Sequence, residues 1–249
     1  SFTDTTRWSS IKQMRITLKK SALGHDKGTI KIANLSISGN TWKPVDEAYK
    51  AVVSPYGINN IDNPDYKPIF NDNGDGGMVF RTLYGSVNEL RSSSSQNNIQ
   101  EQSLALKYDF TAAPTITDIN VQRSFSAMDF SQHKQFRFLL YNNGNIDADT
   151  KFYIRLEADS SNYSEVEIPM DFKNAWHLYS LKLIDTDGDN IPNRWENASA
   201  YPATVNNLGS VNFKRIASVK VGLRTTNPAA KGEVWLDDVF LAEAVVSVG

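Results

Sequence analysis

Asn212–Leu223 reads NFKRIASVKVGL and Lys231–Leu241 reads KGEVWLDDVFL, and these two stretches decide the fold. In the first, Val219, Val221 and Leu223 alternate along the chain, the period-2 mark of a strand with one buried face. In the second, the apolar positions run Val234, Leu236 and then shift phase to Val239, Leu241, which predicts a β-bulge between the two sets. The same pair of strands is written once before. Arg7–Leu18 (RWSSIKQMRITL) matches the first, with Met14, Ile16 and Leu18 in the alternating places. Lys27–Ile37 (KGTIKIANLSI) matches the second, with the same change of phase from Ile30, Ile32 to Leu35, Ile37. The copies lie about 205 residues apart, far too long a period for a solenoid and close to the size of a duplicated domain. Residues 1–45 are therefore expected to be the closing strands of one sandwich, residues 46–102 a spacer, and residues 103–249 a complete second copy.

Between Trp42 and Gln102 the chain is irregular, with four prolines, the stretch NDNGDGG at 71–77 and SSSSQNN at 92–98. Pro44–Val52 and Thr82–Leu90 are the only pieces there that suggest helical turns. From Ser103 strand patterns follow one another: Leu104–Phe110, Val121–Phe125, Gln135–Tyr141, Lys151–Glu157, Tyr163–Ile168 and Trp176–Leu183, then the repeated pair. About eight strands predict an all-β, antiparallel sandwich closed as a jelly roll. Phe152, Ile154 and Leu156 point to one face while Tyr153, Arg155 and Glu157 point to the other, so one face is packed and one decorated.

With 249 residues, 40% of them apolar and 11% aromatic, the chain is long enough for a substantial core. It has no cysteine, which excludes disulfides and thiolate metal sites. A net charge of -2 argues against nucleic acid or an anionic membrane as partner, and no apolar run approaches the length of a membrane span. The opening SFTDTTRW and the closing AEAVVSVG are what is expected of a segment of a longer protein.

The sharpest chemical signal is DTDGDNIPNRWE at 185–196. Ca²⁺ takes six to eight hard oxygens, and a twelve-residue loop supplies them from positions 1, 3, 5, 7, 9 and 12. Those positions are Asp185, Asp187, Asp189, Ile191 through its carbonyl, Asn193 and Glu196. A calcium ion there is expected to order the loop, not to catalyse. The glycine-rich Asn71–Gly77 is a weaker cousin, in which Asn71, Asp72, Asn73 and Asp75 are candidate ligands and a flexible turn is the simpler reading.

Catalytic constellations are sparse. His25, His133 and His177 are scattered, and no nucleophile elbow, zinc-protease motif or phosphate-binding glycine loop occurs. Glu165 and Glu167 have the spacing of a glycosidase pair, but any solvent-facing strand gives that spacing. Aromatic rings that stack on sugar C–H faces are the other candidates for recognition: Trp235, Trp195, Tyr153 and Tyr163. Trp235 corresponds to Lys31 in the first copy, which predicts that it is exposed. Trp8 corresponds to Phe213, and Trp176 precedes a strand; both are expected to be core or seam residues.

Two resemblances follow from these segments. FSQHKQFRFLLYNN, FYIRLEADSSNYSEVEIPM, NAWHLYSLKL, FKRIASVKVGL and the closing GEVWLDDVFL make residues 103–244 resemble the galactose-binding-like jelly rolls used as carbohydrate-binding modules. IDNPDYKPIF, QEQSLALKYDF and FYIRLEADSSNYSEVEIPM, in that order, resemble the soluble jelly-roll regions of SprA-type gliding-motility and type 9 secretion translocon proteins. The first resemblance implies a non-catalytic, glycan-binding module of a bacterial cell-surface or envelope protein. The second implies a structural domain whose partners are neighbouring repeats of the same surface protein. Neither supplies catalytic residues, and a glycoside hydrolase is the third expectation.

Overall fold

Strands form here because apolar residues recur at every second position and are β-branched or aromatic, side chains that suit a pleated surface. A computed structural model of the chain describes residues 42–60, 62–85 and 101–244. Twelve strands occur among them: β1 (Lys43–Pro44), β2 (Val53–Asn59), β3 (Gln102–Asp109), β4 (Asp118–Met128), β5 (His133–Asn142), β6 (Asp147–Asp159), β7 (Asn162–Met170), β8 (Trp176–Ile184), β9 (Arg194–Asn197), β10 (Thr204–Leu208), β11 (Ile216–Thr225) and β12 (Lys231–Ala244). One α-helix, α1, spans Asp75–Tyr84, and short 3₁₀ turns occur at Glu47–Ala51, Ile69–Asn71 and Phe110–Ala112. No helix of the described residues is long and apolar enough to cross a membrane.

The strands make two six-stranded antiparallel sheets, sheet A in the order β1-β4-β11-β6-β7-β10 and sheet B in the order β2-β3-β12-β5-β8-β9. The eight long strands pair as β3 with β12, β4 with β11, β5 with β8 and β6 with β7. That nesting is one long hairpin folded over on itself, which is the jelly roll expected from the strand spacing. Between the sheets lie the inward positions, among them Ile119, Val121, Phe138, Phe152, Ile154, Leu156, Val221 and Leu223, all fully buried. Each such side chain contributes about 1.5–3 kcal/mol by leaving water.

The phase change of the last strand is a bulge. Pairing of β12 with β5 is regular through Asp237, resumes at Phe240, and Asp238 between them takes the left-handed region at φ 41°. The first copy of the repeat, residues 7–37, lies outside the described residues.

Where it is described, at 46–60 and 62–85, the expected spacer belongs to the sandwich. Lys43 and Pro44 pair with Gln122 and Val121 at the edge of sheet A, and all of Val53–Asn59 pairs with β3 at the edge of sheet B. The sandwich therefore begins by residue 43, sixty residues before the expected boundary at 103. Proline at Pro44 is tolerated because an edge strand leaves one side of its backbone unpaired. The segment between β2 and α1 then folds with the helix onto the outer face of sheet B. There Tyr66, Ile69, Val79 and Phe80 bury Ile58, Leu139, Tyr141, Trp176 and Trp235 in a second apolar layer.

The glycine-rich stretch 71–77 starts that helix and is not a flexible turn. Asp72 Oδ2 accepts the N–H groups of Gly74 and Gly76 at 3.1 and 2.9 Å, and Asp75 Oδ2 accepts that of Leu178 at 2.9 Å. A Cβ on Gly77 would stand 2.0 Å from the Asp72 carbonyl oxygen, so only glycine lets the chain turn this tightly. Asp72 and Asp75 are thereby engaged with backbone. Thr82 and Leu83 belong to α1, while residues 86–90 lie outside the described residues.

Candidate functional site

The outward positions of sheet A form a lattice set by strand register. One row runs Gln122, Lys220, Arg155, Glu165 across β4, β11, β6 and β7; the next runs Asn120, Gly222, Tyr153, Glu167. Asp118, Arg224 and Lys151 form a third row, and Ser124, Ser218, Glu157 and Tyr163 a fourth. Cross-strand neighbours on one face are close enough for long side chains to pair, and here opposite charges alternate.

Arg155 holds Glu165 at 2.6 Å and Glu157 at 3.4 Å, and Lys220 holds Glu157 at 2.7 Å. Ser218 Oγ donates to the second oxygen of Glu157 at 2.9 Å. Arg224 reaches Asp118 at 2.7 Å and Glu165 at 2.5 Å, and pairs with Glu167 through the same nitrogen that meets Glu165. The aromatic members stack on these cations: Arg224 lies 4.2 Å from the Tyr153 ring centre and Arg155 lies 3.9 Å from that of Tyr163. The result is a ladder of Arg224, Tyr153, Arg155 and Tyr163 across the face. Burial lowers the pKa of Arg224, but Glu165 and Asp118 more than offset it, so the guanidinium titrates well above its ordinary value. Burial, and then the charge of Asp118, raise the Tyr153 hydroxyl, which donates to Asp118 at 2.7 Å.

Tyr153 faces outward yet is only 1% exposed, and Gly222 is the reason. Any Cβ at Gly222 would stand 2.6 Å from the tyrosine ring and 2.2 Å from the Ile119 carbonyl oxygen, so the ring lies flat across β11 only because that position is glycine. At the foot of the ladder a cleft of about 430 Å³ opens among Thr117, Asp118, Asp149, Lys151, Arg224 and Thr226. Asp118, Glu157, Glu165 and Glu167 balance Lys151, Arg155, Lys220 and Arg224, so the ladder carries no net charge.

Of the four aromatic residues expected to meet a ligand, the sheet brings Tyr153 and Tyr163 together and takes the other two away. Trp235 is fully buried, stacked on Tyr141 at 4.5 Å and covered by the layer that α1 and the 62–74 segment lay over sheet B. Its expected exposure fails because a strand covered on both sides hides both faces. Trp195 stands in the main core, stacked on Phe136 at 5.5 Å and packed against Phe213. Trp176 and Phe213 are buried, as packing positions. Glu165 and Glu167 meet on one guanidinium. His177 is sandwiched between Phe172 and Tyr201, with ring centres 4.1 and 3.8 Å away; burial lowers its pKa.

The loop at 185–196 gathers half of its expected ligands. Carboxylate oxygens of Asp185, Asp187 and Asp189 lie within 4.8 Å of one another, all exposed. Asp185 also accepts the N–H groups of Gly188, Asn190 and Asp187, which hold its carboxyl below the usual range. Asn193 and Glu196 have other partners. Asn193 is buried, with its amide oxygen accepting from Thr186 and its nitrogen donating to Asp187 at 2.8 Å. Ile191 directs its N–H at Asp189. Glu196 belongs to β9, opposite Lys182, because RWEN pairs as a strand and carries the twelfth position away from the loop.

No family model and no curated protein matches the chain. Among solved structures, an exo-beta-agarase is similar with a TM-score of 0.43 and 11% identity, over 59% of this chain and 21% of that one. PfGH50B follows with a TM-score of 0.41 and 16% identity, over 57% and 20%. The module CBM27-1 of Caldicellulosiruptor saccharolyticus, solved in complex with mannohexaose, has a TM-score of 0.34 and 13% identity, over 59% of this chain and 78% of that one. The chain thus spans about a fifth of the first two proteins and over three quarters of the third, and none of these similarities assigns a role to one of its residues.

Proposed function

We propose that this jelly roll is a non-catalytic glycan-binding module whose ligand face is the outer side of sheet A. The observation that carries the reading is the ladder of Arg224, Tyr153, Arg155 and Tyr163, whose polar groups are fixed by ion pairs before any ligand arrives. Binding to a preorganised surface avoids the entropy of ordering long side chains. Guanidinium and carboxylate groups suit vicinal hydroxyls, and Tyr163, the half-buried ring of the ladder, offers a face for C–H stacking. The balanced charge favours a neutral saccharide. Glu165 and Glu167 share one guanidinium and so serve as anchors of the lattice, not as an acid and base pair.

The test is calorimetric titration of neutral oligosaccharides into the protein. Tyr163→Ala should weaken binding about tenfold, the loss of about 1.4 kcal/mol of stacking and contact. Its melting temperature should stay within about 2 °C, because Tyr163 is half-buried at the edge of the lattice. Binding that Tyr163→Ala leaves unchanged would move the ligand off this face.

A structural domain of a surface protein, as the SprA-type resemblance implies, is the second reading; the burial of Trp195 and Trp235 inside this domain leaves neither as a glycan platform. Absence of binding by the whole panel would favour it.

The calcium-ordered loop is part of the proposal, with Asp187 and Asp189 as its principal ligands beside Asp185 and water completing the shell. A site of three exposed carboxylates belongs with weak calcium sites, with Kd about 10⁻⁴–10⁻³ M. At about ten times a Kd of 10⁻³ M, calcium should stabilise the fold by about 1.4 kcal/mol, a rise in Tm of about 3–5 °C. Asp187→Ala with Asp189→Ala should abolish that rise. A melt that calcium does not move would remove the ion from the proposal.

A further inference from the structure

A second cleft, of about 640 Å³, lies on the sheet B side of the sandwich, where the layer covering that sheet meets the turns that follow β5 and β7. Its size falls within the range of small-molecule sites. Three asparagines from three separate segments line it: Asn71 before α1, Asn143 after β5 and Asn174 before β8. Their backbones are fixed. Asn143 donates its N–H to Glu233 at 2.9 Å, Asn174 donates to Asn142 at 3.0 Å from the left-handed region at φ 57°, and Asn71 donates to Pro68 at 3.1 Å. All three are exposed, and their side-chain amides make no hydrogen bond among the described residues, so a ligand in the cleft meets three donor-and-acceptor groups that otherwise bond only to water.

Beneath them the floor is aromatic and immobile. Trp176 donates its indole N–H to the Lys67 carbonyl oxygen at 2.9 Å, and Tyr141 stacks on Trp235 with 8° between ring planes. Asp72, also on the wall, stands close enough to Tyr141 to add to the rise that burial gives the phenol's pKa. Lys67, also in the lining, balances the charge of Asp72. A neutral ligand dense in hydroxyl groups satisfies such a lining; an ion or an apolar molecule does not.

We propose that this cleft is a second saccharide site, taking a neutral pyranose unit through the amides of Asn71, Asn143 and Asn174 above the Tyr141–Trp176 floor. It shares no residue with the ladder on sheet A and stands whether or not that face binds sugar. If both bind, one domain engages a polysaccharide at two points and gains avidity without new contacts.

The experiment is a titration of the full chain, labelled with ¹⁵N, with D-galactose, D-mannose, D-glucose and their disaccharides up to about 50 mM, some fifty times a Kd of about 1 mM. Shifts are expected at the side-chain amides of Asn71, Asn143 and Asn174 and at the indole of Trp176. They should be lost in Asn143→Ala with Asn174→Gly, where glycine keeps the left-handed backbone while removing the amide. Tyr163→Ala should retain them. Asn71→Ala, outside both turns, should weaken the response at least fivefold and serves if the double variant does not fold. Shifts confined to Tyr153 and Tyr163, shifts that survive removal of the amides, or no shifts with any sugar would each overturn the proposal.

Discussion

Trp235→Ala is expected to destabilise the domain by about 3–5 kcal/mol, the usual range for emptying a buried tryptophan site, and to lower Tm by about 6–20 °C. The indole is fully buried and stands against Tyr66, Tyr141 and Trp176, with ring centres 5.1, 4.5 and 6.2 Å away. Removing it opens a void between sheet B and the layer above, where neighbours held by strands on one side and by α1 on the other collapse only in part. Trp235→Phe keeps most of the stack and loses the hydrogen bond from the indole N–H to Glu233, so it should cost roughly 1–2 kcal/mol. The difference between the two variants separates packing from the polar contact. A thermal melt of Trp235→Ala within about 2 °C of the parent would restore the exposed platform that the comparison with Lys31 suggested.

That comparison misled for a physical reason. Alternation reports burial on one face only, and β6 was legible because its second face is polar. On β12 the run Val234, Trp235, Leu236 is buried throughout, and on β5 so is Phe138 to Tyr141. Unbroken apolar runs of that kind mark strands covered on both sides. They were the available sign that something lies over sheet B, and the irregular proline- and glycine-rich segment before β3 was the material to supply it. The bulge was legible because a change of phase is itself a pattern. The ladder was half legible: Arg155 and Glu157 stand out as the polar face of β6, whereas Arg224 and Gly222 matter only through the register of β11 against β4 and β6, which no local pattern records. The end of the acidic loop was misread because RWEN is too short to alternate visibly, and Trp195 draws it into the core.

Raising the pH from about 5 to 8 is expected to weaken the fold, contrary to the behaviour of a domain whose carboxylates are all ion-paired. The bulge in β12 turns Asp237 and Asp238 toward Glu101, at the start of β3. Ser103 donates to Asp237 Oδ2 at 2.6 Å, Tyr66 stands 3.3 Å from the same oxygen, and Tyr84 of α1 donates to Asp238 at 2.7 Å. The Ile69 N–H meets one oxygen of Glu101 at 2.9 Å. The second oxygens of Glu101 and Asp238 are buried without a partner, and no ion pair joins these carboxylates to a cation among the described residues. Burial first, and then the charge of Asp237, pushes Glu101 up to about 8; burial and Asp238 push Asp237 up to about 7. The folded state therefore keeps protons that the unfolded chain releases near pH 4. This stabilisation is complete below that pH and is lost as pH rises through the folded values, so the slope of stability is negative across pH 5 to 8. A loss on the order of 3 kcal/mol is expected over that interval. Glu101→Gln with Asp237→Asn removes both titrations while keeping shape, and should flatten the profile and raise Tm at pH 8. A Tm that climbs from pH 5 to 8 in the parent, or a double variant with the parent's slope, would place the charge of this cluster in water and not in the fold.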